Sequence, residues 1–239
     1  LKGSKDEELQ SIRPLLYQGG SDSLSSATAP IVITGDDLAL DFEGEVGVII
    51  GAVPMGATRE QARSAIRLVT VLNDVSLRRL VVDDLQNGFG FFHAKPSTAF
   101  APIAMTPASL GADWRDDRLH LPIRIEVNGK LYGRPNAGTG MHFDFADLIV
   151  EAARTRNLAA GTIIGGGTVS NPHDQTLPLK PDGIGFACIA EARTAEKAKY
   201  GRARTPFLKP GDRVRIGAID QNGISVFGDI DQTVELLAR

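Results

Sequence analysis

Cysteine is almost absent from this chain: Cys188 stands alone, which excludes an internal disulfide and most thiolate metal sites. A lone cysteine fits a reducing compartment. Between Phe186, Ala187, Ile189 and Ala190, it reads as a small buried apolar residue rather than a nucleophile. No apolar run approaches the ~20 residues that span a bilayer, and no signal-peptide pattern is present. A cytoplasmic address and no membrane partner are therefore expected. An excess of positive charge is missing as well, since 26 Lys plus Arg face 29 Asp plus Glu, a net charge of -3. The densest basic group, Arg202, Arg204 and Lys209, is interrupted by Pro206 and Pro210. General affinity for nucleic acid is thereby excluded. Neither internal repeats nor low-complexity tracts occur.

What is present is an ordinary globular composition, with 42% hydrophobic and 23% charged residues over 239 positions. Residues 1–13 are polar and weakly patterned, a flexible end or the remnant of a longer N-terminal region. From Pro14 onward, residues 14–239 read as one β-rich domain. Val46–Ala52 has the composition of a buried strand, and Leu121–Val127 alternates apolar with polar residues before Asn128-Gly129. That dipeptide predicts a tight hairpin, because a type I′ turn needs positive φ at both central positions. Asn222-Gly223 predicts a second, joining Val214–Ile219 to Ile224–Phe227. Two helices stand out. Thr58 and Gln61 form a capping-box pattern ahead of Arg59–Leu68, with Ala62, Ala65, Ile66 and Val69 at helical spacing. In Phe143–Thr155, Leu148, Ile149 and Ala152 share a face. Strands outnumber helices without regular alternation, so the fold class is α+β with mixed β-sheet.

The stretch Leu40-Asp-Phe-Glu43-Gly-Glu45-Val carries the strongest chemical signal. On a strand, Glu43 and Glu45 face the same way, with Cα atoms roughly 6.5–7 Å apart. Such a pair repels unless it faces water or shares a cation. Both readings stay open at this point: a solvated strand end displaying Asp41, Glu43 and Glu45, or a site for a hard divalent ion such as Mg²⁺, Ca²⁺ or Mn²⁺. Asp74 closes an apolar run, where an Asp also serves as a turn residue. Lys95, in Phe89-Gly-Phe-Phe-His-Ala-Lys95-Pro, reads either as a desolvated lysine aimed at an anion or as a snorkelling surface side chain.

The order of these islands resembles the fumarylacetoacetate hydrolase family from about Pro14 to Val234. The matching motifs are Glu43-Gly-Glu45, Asn73-Asp74-Val75-Ser76-Leu77-Arg78, Lys95-Pro-Ser-Thr98, Val127-Asn128-Gly129, Gly167-Thr168 and Gly211-Asp212-Arg213-Val214. Pro14–Ser21 and Phe89–Phe92 look most like the shorter bacterial members of aromatic and tyrosine catabolism. The resemblance implies a β-sheet roll with a few peripheral helices and a homodimer. It implies Glu43, Glu45 and Asp74 as ligands of a divalent metal, Mg²⁺ or Ca²⁺ with Mn²⁺ as a further option. It also implies Lys95 as the group that stabilises developing negative charge, and Tyr17, Arg78 and Thr168 as substrate-binding residues. Glu191 falls where a glutamate partners the general base. The implied activity is hydrolysis of a C–C bond in a small diketo acid, fumarylacetoacetate or fumarylpyruvate, to fumarate and a keto acid. Two departures stand against the pattern. Val81 replaces a glutamine, and residues 1–16 hold no histidine to match the base upstream of the tyrosine. His93 is the one histidine near a motif, and Asp6 lies too close to Tyr17 for the further upstream carboxylate of larger members. The same residues would also serve an oxo-acid decarboxylase or isomerase, or an inactive metal- and ligand-binding homologue.

Overall fold

The Val/Ile-rich stretch after the paired glutamates forms β4 (Gly44–Ile50), buried along almost its whole length. In this computed structural model, which describes residues 13–171 and 183–238, β4 is the strand around which the fold is organised. It pairs antiparallel with β5 (Ile66–Asn73) on one side and with β12 (Ile163–Thr168) on the other. β7 (Thr98–Phe100) lies antiparallel to β5, and β1 (Leu24–Ser25) parallel to β7, giving the sheet order β1-β7-β5-β4-β12.

A second five-stranded sheet has the order β11-β10-β13-β14-β2. Its strands are β2 (Ile31–Ile33), β10 (Ile123–Val127), β11 (Lys130–Gly133), β13 (Arg213–Ala218) and β14 (Ile230–Leu236). Ile123, Ile125, Val214 and Ile216 are fully buried. They press so closely on β4 that a Cβ on Gly44 would meet Ile125 Cδ1 at 2.6 Å. Short pairs β3 (Leu40–Asp41) with β6 (Ser76–Leu77), and β8 (Trp114–Arg115) with β9 (Arg118–Leu119), complete a mixed α+β architecture. Of the expected N-terminal stretch 1–13, all but Arg13 lies outside the described residues.

The capping box at Thr58 and Gln61 forms as expected, and α1 (Arg59–Ala65) follows it. The helix ends at Ala65 instead of Leu68, because the β-branched run from Ile66 continues as β5 against β4. Ala62 and Ala65 are buried on the helix, whereas Val69 is buried in the sheet. α2 (Arg78–Asn87) and α5 (Ile189–Tyr200) are helices beyond the two that stand out in the sequence. α2 leaves Val82 and Leu85 more than half exposed and buries Asp84. That carboxylate accepts the amides of Phe92 and Ala94 at 3.0 and 3.1 Å and so fixes the loop leading to Lys95. α3 (Pro107–Leu110) is a single turn. α4 (Phe145–Ala152) starts at a capping box on Asp144 and buries Leu148 and Ile149. No helix among the described residues is long and apolar enough to cross a membrane.

The Asn128-Gly129 turn has φ of 52° and 73°, the conformation its sequence predicts. At Asn222-Gly223 the outcome differs. Gly223 takes a positive φ, but Asn222 does not join it. The Asp220 carboxylate captures the amides of Asn222 and Ile224, both at 2.8 Å, which widens the loop. Residues 224–227 form no strand, and β14 begins at Ile230. Two glycines of one hairpin separate the effects of strain and clash. A Cβ on Gly129 meets nothing within 4 Å, whereas one on Gly133 would lie 2.0 Å from the Phe186 carbonyl oxygen. Gly129→Ala is expected to cost about 1–2 kcal/mol from backbone strain alone. Gly133→Ala should cost roughly 2–4 kcal/mol, and urea denaturation of the two variants measures the difference.

Candidate metal centre

Glu43 precedes β4 and Asp74 follows β5, so the β4–β5 pairing brings them to the same end of the sheet. The Asp74 amide donates to the Glu43 carbonyl at 3.1 Å. Asn73 pins the same spot, its Oδ1 accepting the Glu43 amide at 3.0 Å while its Nδ2 donates to Gln232 at 3.0 Å. Asn73 thus holds backbone and leaves Asp74 to present its side chain. Carboxylate oxygens of Glu43, Glu45 and Asp74 lie within 4.8 Å of one another, and all three residues are buried. The solvated strand end is therefore not what forms.

Lys95 enters this cluster with a side chain 7% exposed, its Nζ 2.7 Å from Asp74 Oδ2 and 3.1 Å from Glu43 Oε1. Of the two readings of this lysine, the desolvated one holds. Arg78 spans two carboxylates, with Nε 2.9 Å from Asp41 Oδ2 and Nη2 2.7 Å from Glu43 Oε1. Ser76 Oγ and Thr168 Oγ1 donate to the two oxygens of Glu43 at 2.7 and 2.8 Å. Glu45 accepts the Gly167 amide at 3.1 Å. The Tyr17 hydroxyl donates to Asp74 Oδ2, and Thr98 Oγ1 donates to its other oxygen at 3.3 Å. Tyr17 also packs edge-on against Phe91 and lies under the Lys95 ammonium, 5.5 Å from its ring centroid.

The charges are unevenly neutralised. Burial works to raise Glu43, but Lys95 and Arg78 more than offset it and hold its carboxyl well below the usual range. Glu45 forms no ion pair among the described residues; burial, then the charges of Glu43 and Asp74, push it well above that range. Burial likewise raises the Tyr17 hydroxyl, with Asp74 adding to the effect. Burial tends to lower Lys95, and Glu43 with Asp74 reverses that, so the ammonium keeps its proton. Three converging carboxylates, one of them left without a counter-charge, make an all-oxygen donor set that can hold a divalent cation. The residues present therefore fit the metal that the sequence motifs imply.

Asp41 is fully buried and faces no water. Its oxygens accept the Ile189 and Ala190 amides at 2.7 and 2.9 Å, holding the first turn of α5 in place. Glu191 stands in that turn, interacts with Ser170, and is raised mainly by burial. Its Oε2 is buried without a hydrogen-bond partner. Cys188 is buried as expected, its sulfur accepting the Glu191 amide at 3.4 Å. Among the described residues, no imidazole hydrogen-bonds to the acidic triad or to Lys95. His93 is exposed and edge-on to Phe92, and His142 is edge-on to Phe143. The His120 ring backs onto Gly138, where a Cβ would come within 2.4 Å of it. His173 and Asp6 lie outside the described residues. Sequence reasoning missed the latch made by Asp41; its signal is the alternation Asp41, Glu43, Glu45, which fits a solvated strand end and a buried site equally.

The sequence matches the family model described as fumarylacetoacetate (FAA) hydrolase C-terminal over residues 2–235. The chain belongs to the fumarylacetoacetate hydrolase family. The mitochondrial oxaloacetate tautomerase of Xenopus laevis is 28% identical over 210 residues, covering 88% of this chain and 56% of that protein. The chain spans about 56–72% of the length of the curated relatives it matches. Among solved structures, the fumarylacetoacetate hydrolase of Exiguobacterium antarcticum superposes with a TM-score of 0.65 at 20% identity, over 98% of this chain and 70% of the other. The fumarylpyruvate hydrolase of Pseudomonas aeruginosa, in complex with Mn²⁺ and pyruvate, does so at 0.63 and 16%, over 97% and 84%. These two likenesses share the family fold.

Glu45→Gln removes one ligand oxygen's charge and the like-charge repulsion together. The variant is expected to melt at a higher temperature than wild type in EDTA. It is also expected to bind Mg²⁺ or Mn²⁺ at least about tenfold more weakly, as read by isothermal titration calorimetry.

Proposed function

We propose that this family member hydrolyses the C–C bond of a 1,3-diketo acid, the reaction type of fumarylacetoacetate and fumarylpyruvate, with a divalent cation at Glu43, Glu45 and Asp74. The observation that carries the reading is the Lys95 ammonium set between two of the three carboxylates, so that a permanent positive charge borders the cation site. When bound, a Mg²⁺, Ca²⁺ or Mn²⁺ ion there supplies Lewis-acid polarisation of the two oxygens of a 1,3-dicarbonyl.

The chain's own groups supply the remainder. Hydrolysis adds the hydroxyl of water to the acyl carbon and breaks the C–C bond. The bonding pair passes to the enolate of the departing keto acid, and a proton from water ends on its carbon. Lys95 Nζ, desolvated and fully charged, holds the enolate oxygen. Tyr17, kept protonated by burial and Asp74, would turn its single O–H from Asp74 to donate to the substrate carboxylate. Arg78, Ser76 and Thr168 hold Glu43 in a fixed orientation. Glu191, whose buried Oε2 accepts no hydrogen bond among the described residues, would take or orient the proton of the attacking water. A homodimer and a cytoplasmic setting belong to this reading and rest on the motif resemblance and the single cysteine.

A second reading keeps the enolate chemistry without the hydrolytic water: tautomerisation or decarboxylation of an oxo acid. It is favoured by the lack of an imidazole at the cluster among the described residues, and by the similarity to the Xenopus tautomerase. Products separate the two. Fumarylpyruvate incubated with the protein and Mg²⁺ should give fumarate and pyruvate, and none after EDTA treatment. Oxaloacetate converted in its place would favour the second reading. Lys95→Met is expected to lower kcat about 100- to 1,000-fold with a much smaller change in KM.

A further inference from the structure

A cavity of about 360 Å³, within the size range of small-molecule sites, lies across β12 from the carboxylate cluster and is lined by none of its carboxylates. Leu15, Leu119, Met141, Phe143, Phe145 and Leu148 supply apolar wall, and no lysine or arginine lines it among the described residues. Its polar lining includes Thr139, His142 and Ser170.

Two features tie this space to the cluster. Its floor is the glycine-rich end of β12: Gly166, Gly167 and Thr168 line it. A Cβ on Gly165 would meet Glu45 Oε2 at 3.1 Å, whereas one on Gly166 would meet Phe145 Cζ at 3.2 Å. Carboxylates thus lie against one side of a strand stripped of side chains and the cavity against the other. The two meet at Thr168, which lines the cavity while its hydroxyl donates to Glu43. The N-terminal segment makes the same link, for Leu15 lines the cavity and Tyr17 contacts Asp74. No more than about 7 Å of extended chain separates those two residues.

We propose that this cavity receives the acyl tail of the substrate, and that the tail is an uncharged alkyl or aryl group rather than one ending in a carboxylate. The assignment rests on the diketo-acid reading, with the head group at the cluster and the tail turning over Thr168. Among the described residues a carboxylate in this pocket would meet no permanent cation, the exposed His142 being the one ionisable side chain in its lining, and its desolvation would be poorly compensated. An alkyl or phenyl group would instead cover Leu15, which is 65% exposed. Among 1,3-diketo acids, the cavity therefore selects acylpyruvates with apolar tails over fumarylpyruvate.

The test compares hexanoylpyruvate and benzoylpyruvate with fumarylpyruvate under Mg²⁺. The apolar pair should exceed fumarylpyruvate in kcat/KM by at least about tenfold. Leu15→Arg, a change at an exposed rim position, should shrink or invert that ratio. Fumarylpyruvate turned over as well as or better than the apolar pair overturns the tail assignment while leaving the hydrolase reading intact. If none of the three is turned over, the hydrolase reading falls, and the cavity is then judged by binding. Trp114, the single tryptophan, stacks on cavity residue Phe145 with ring centroids 5.9 Å apart. Hexanoate should perturb its emission and succinate should not. An equal response to both acids, or a response to neither, overturns the apolar selectivity.

Discussion

Too much negative charge is gathered at one end of the central strand pair, and the rest of the architecture is arranged to tolerate it. Three buried carboxylates converge there, a fourth, Asp41, lies just behind them, and among the described residues only Lys95 and Arg78 come close enough to compensate. Buried charge is costly unless paired and hydrogen-bonded. Accordingly, Glu43 is gripped by a serine, a threonine, a lysine and an arginine at once. Glu45 is held by the Gly167 amide and by a hydrogen bond shared with Glu43, with no ion pair among the described residues. That inequality gives the cluster its character: one member is locked as an anion, and another awaits a positive charge.

The latch at Asp41 extends this constraint into the scaffold. Its two oxygens hold the start of α5 and the guanidinium of Arg78, which in turn touches Glu43. The helix carrying Glu191 and the strand carrying the acidic pair are thereby held by one buried carboxylate. Asp84 does a similar service at the end of α2, where it gathers two backbone amides of the loop that delivers Lys95. Buried carboxylates fix an end of each of these helices, in α5 alongside the apolar packing of Ile189 and Ala192.

This is why part of the molecule was legible in its sequence and part was not. Local chemistry was readable: the capping box at Thr58 and Gln61 and the Asn128-Gly129 turn both form as residue type and spacing dictate. The motif order identified the family and brought Lys95, Asp74, Arg78, Tyr17 and Thr168 into view as one group, which the geometry assembles. What a strand pattern does not encode is which face meets solvent, so Glu43 and Glu45 alone could not distinguish a wet strand end from a buried cluster. α2 escaped because its apolar residues Val82 and Leu85 point outward and its buried residue is an aspartate. The α1 boundary was misplaced because Ile66 and Val69 fit helical spacing as well as they fit a strand, and only pairing with β4 decides between them. At Asn222-Gly223 a nearby aspartate side chain outcompeted the turn preference of the dipeptide.

The wide sequence separation of the cluster's parts also bears on how the chain acquires it. Glu43 bonds to Thr168 across 125 positions and to Lys95 across 52, and Asp74 bonds to Tyr17 across 57. Such long-range closures come at an entropic cost that local turns and helices do not bear. A partly folded chain could form the hairpin at Asn128 and the cap at Thr58 and still possess no acidic triad. Any ion that prefers the assembled triad is consequently a ligand of the native state alone, and its binding free energy adds to the stability of the whole molecule.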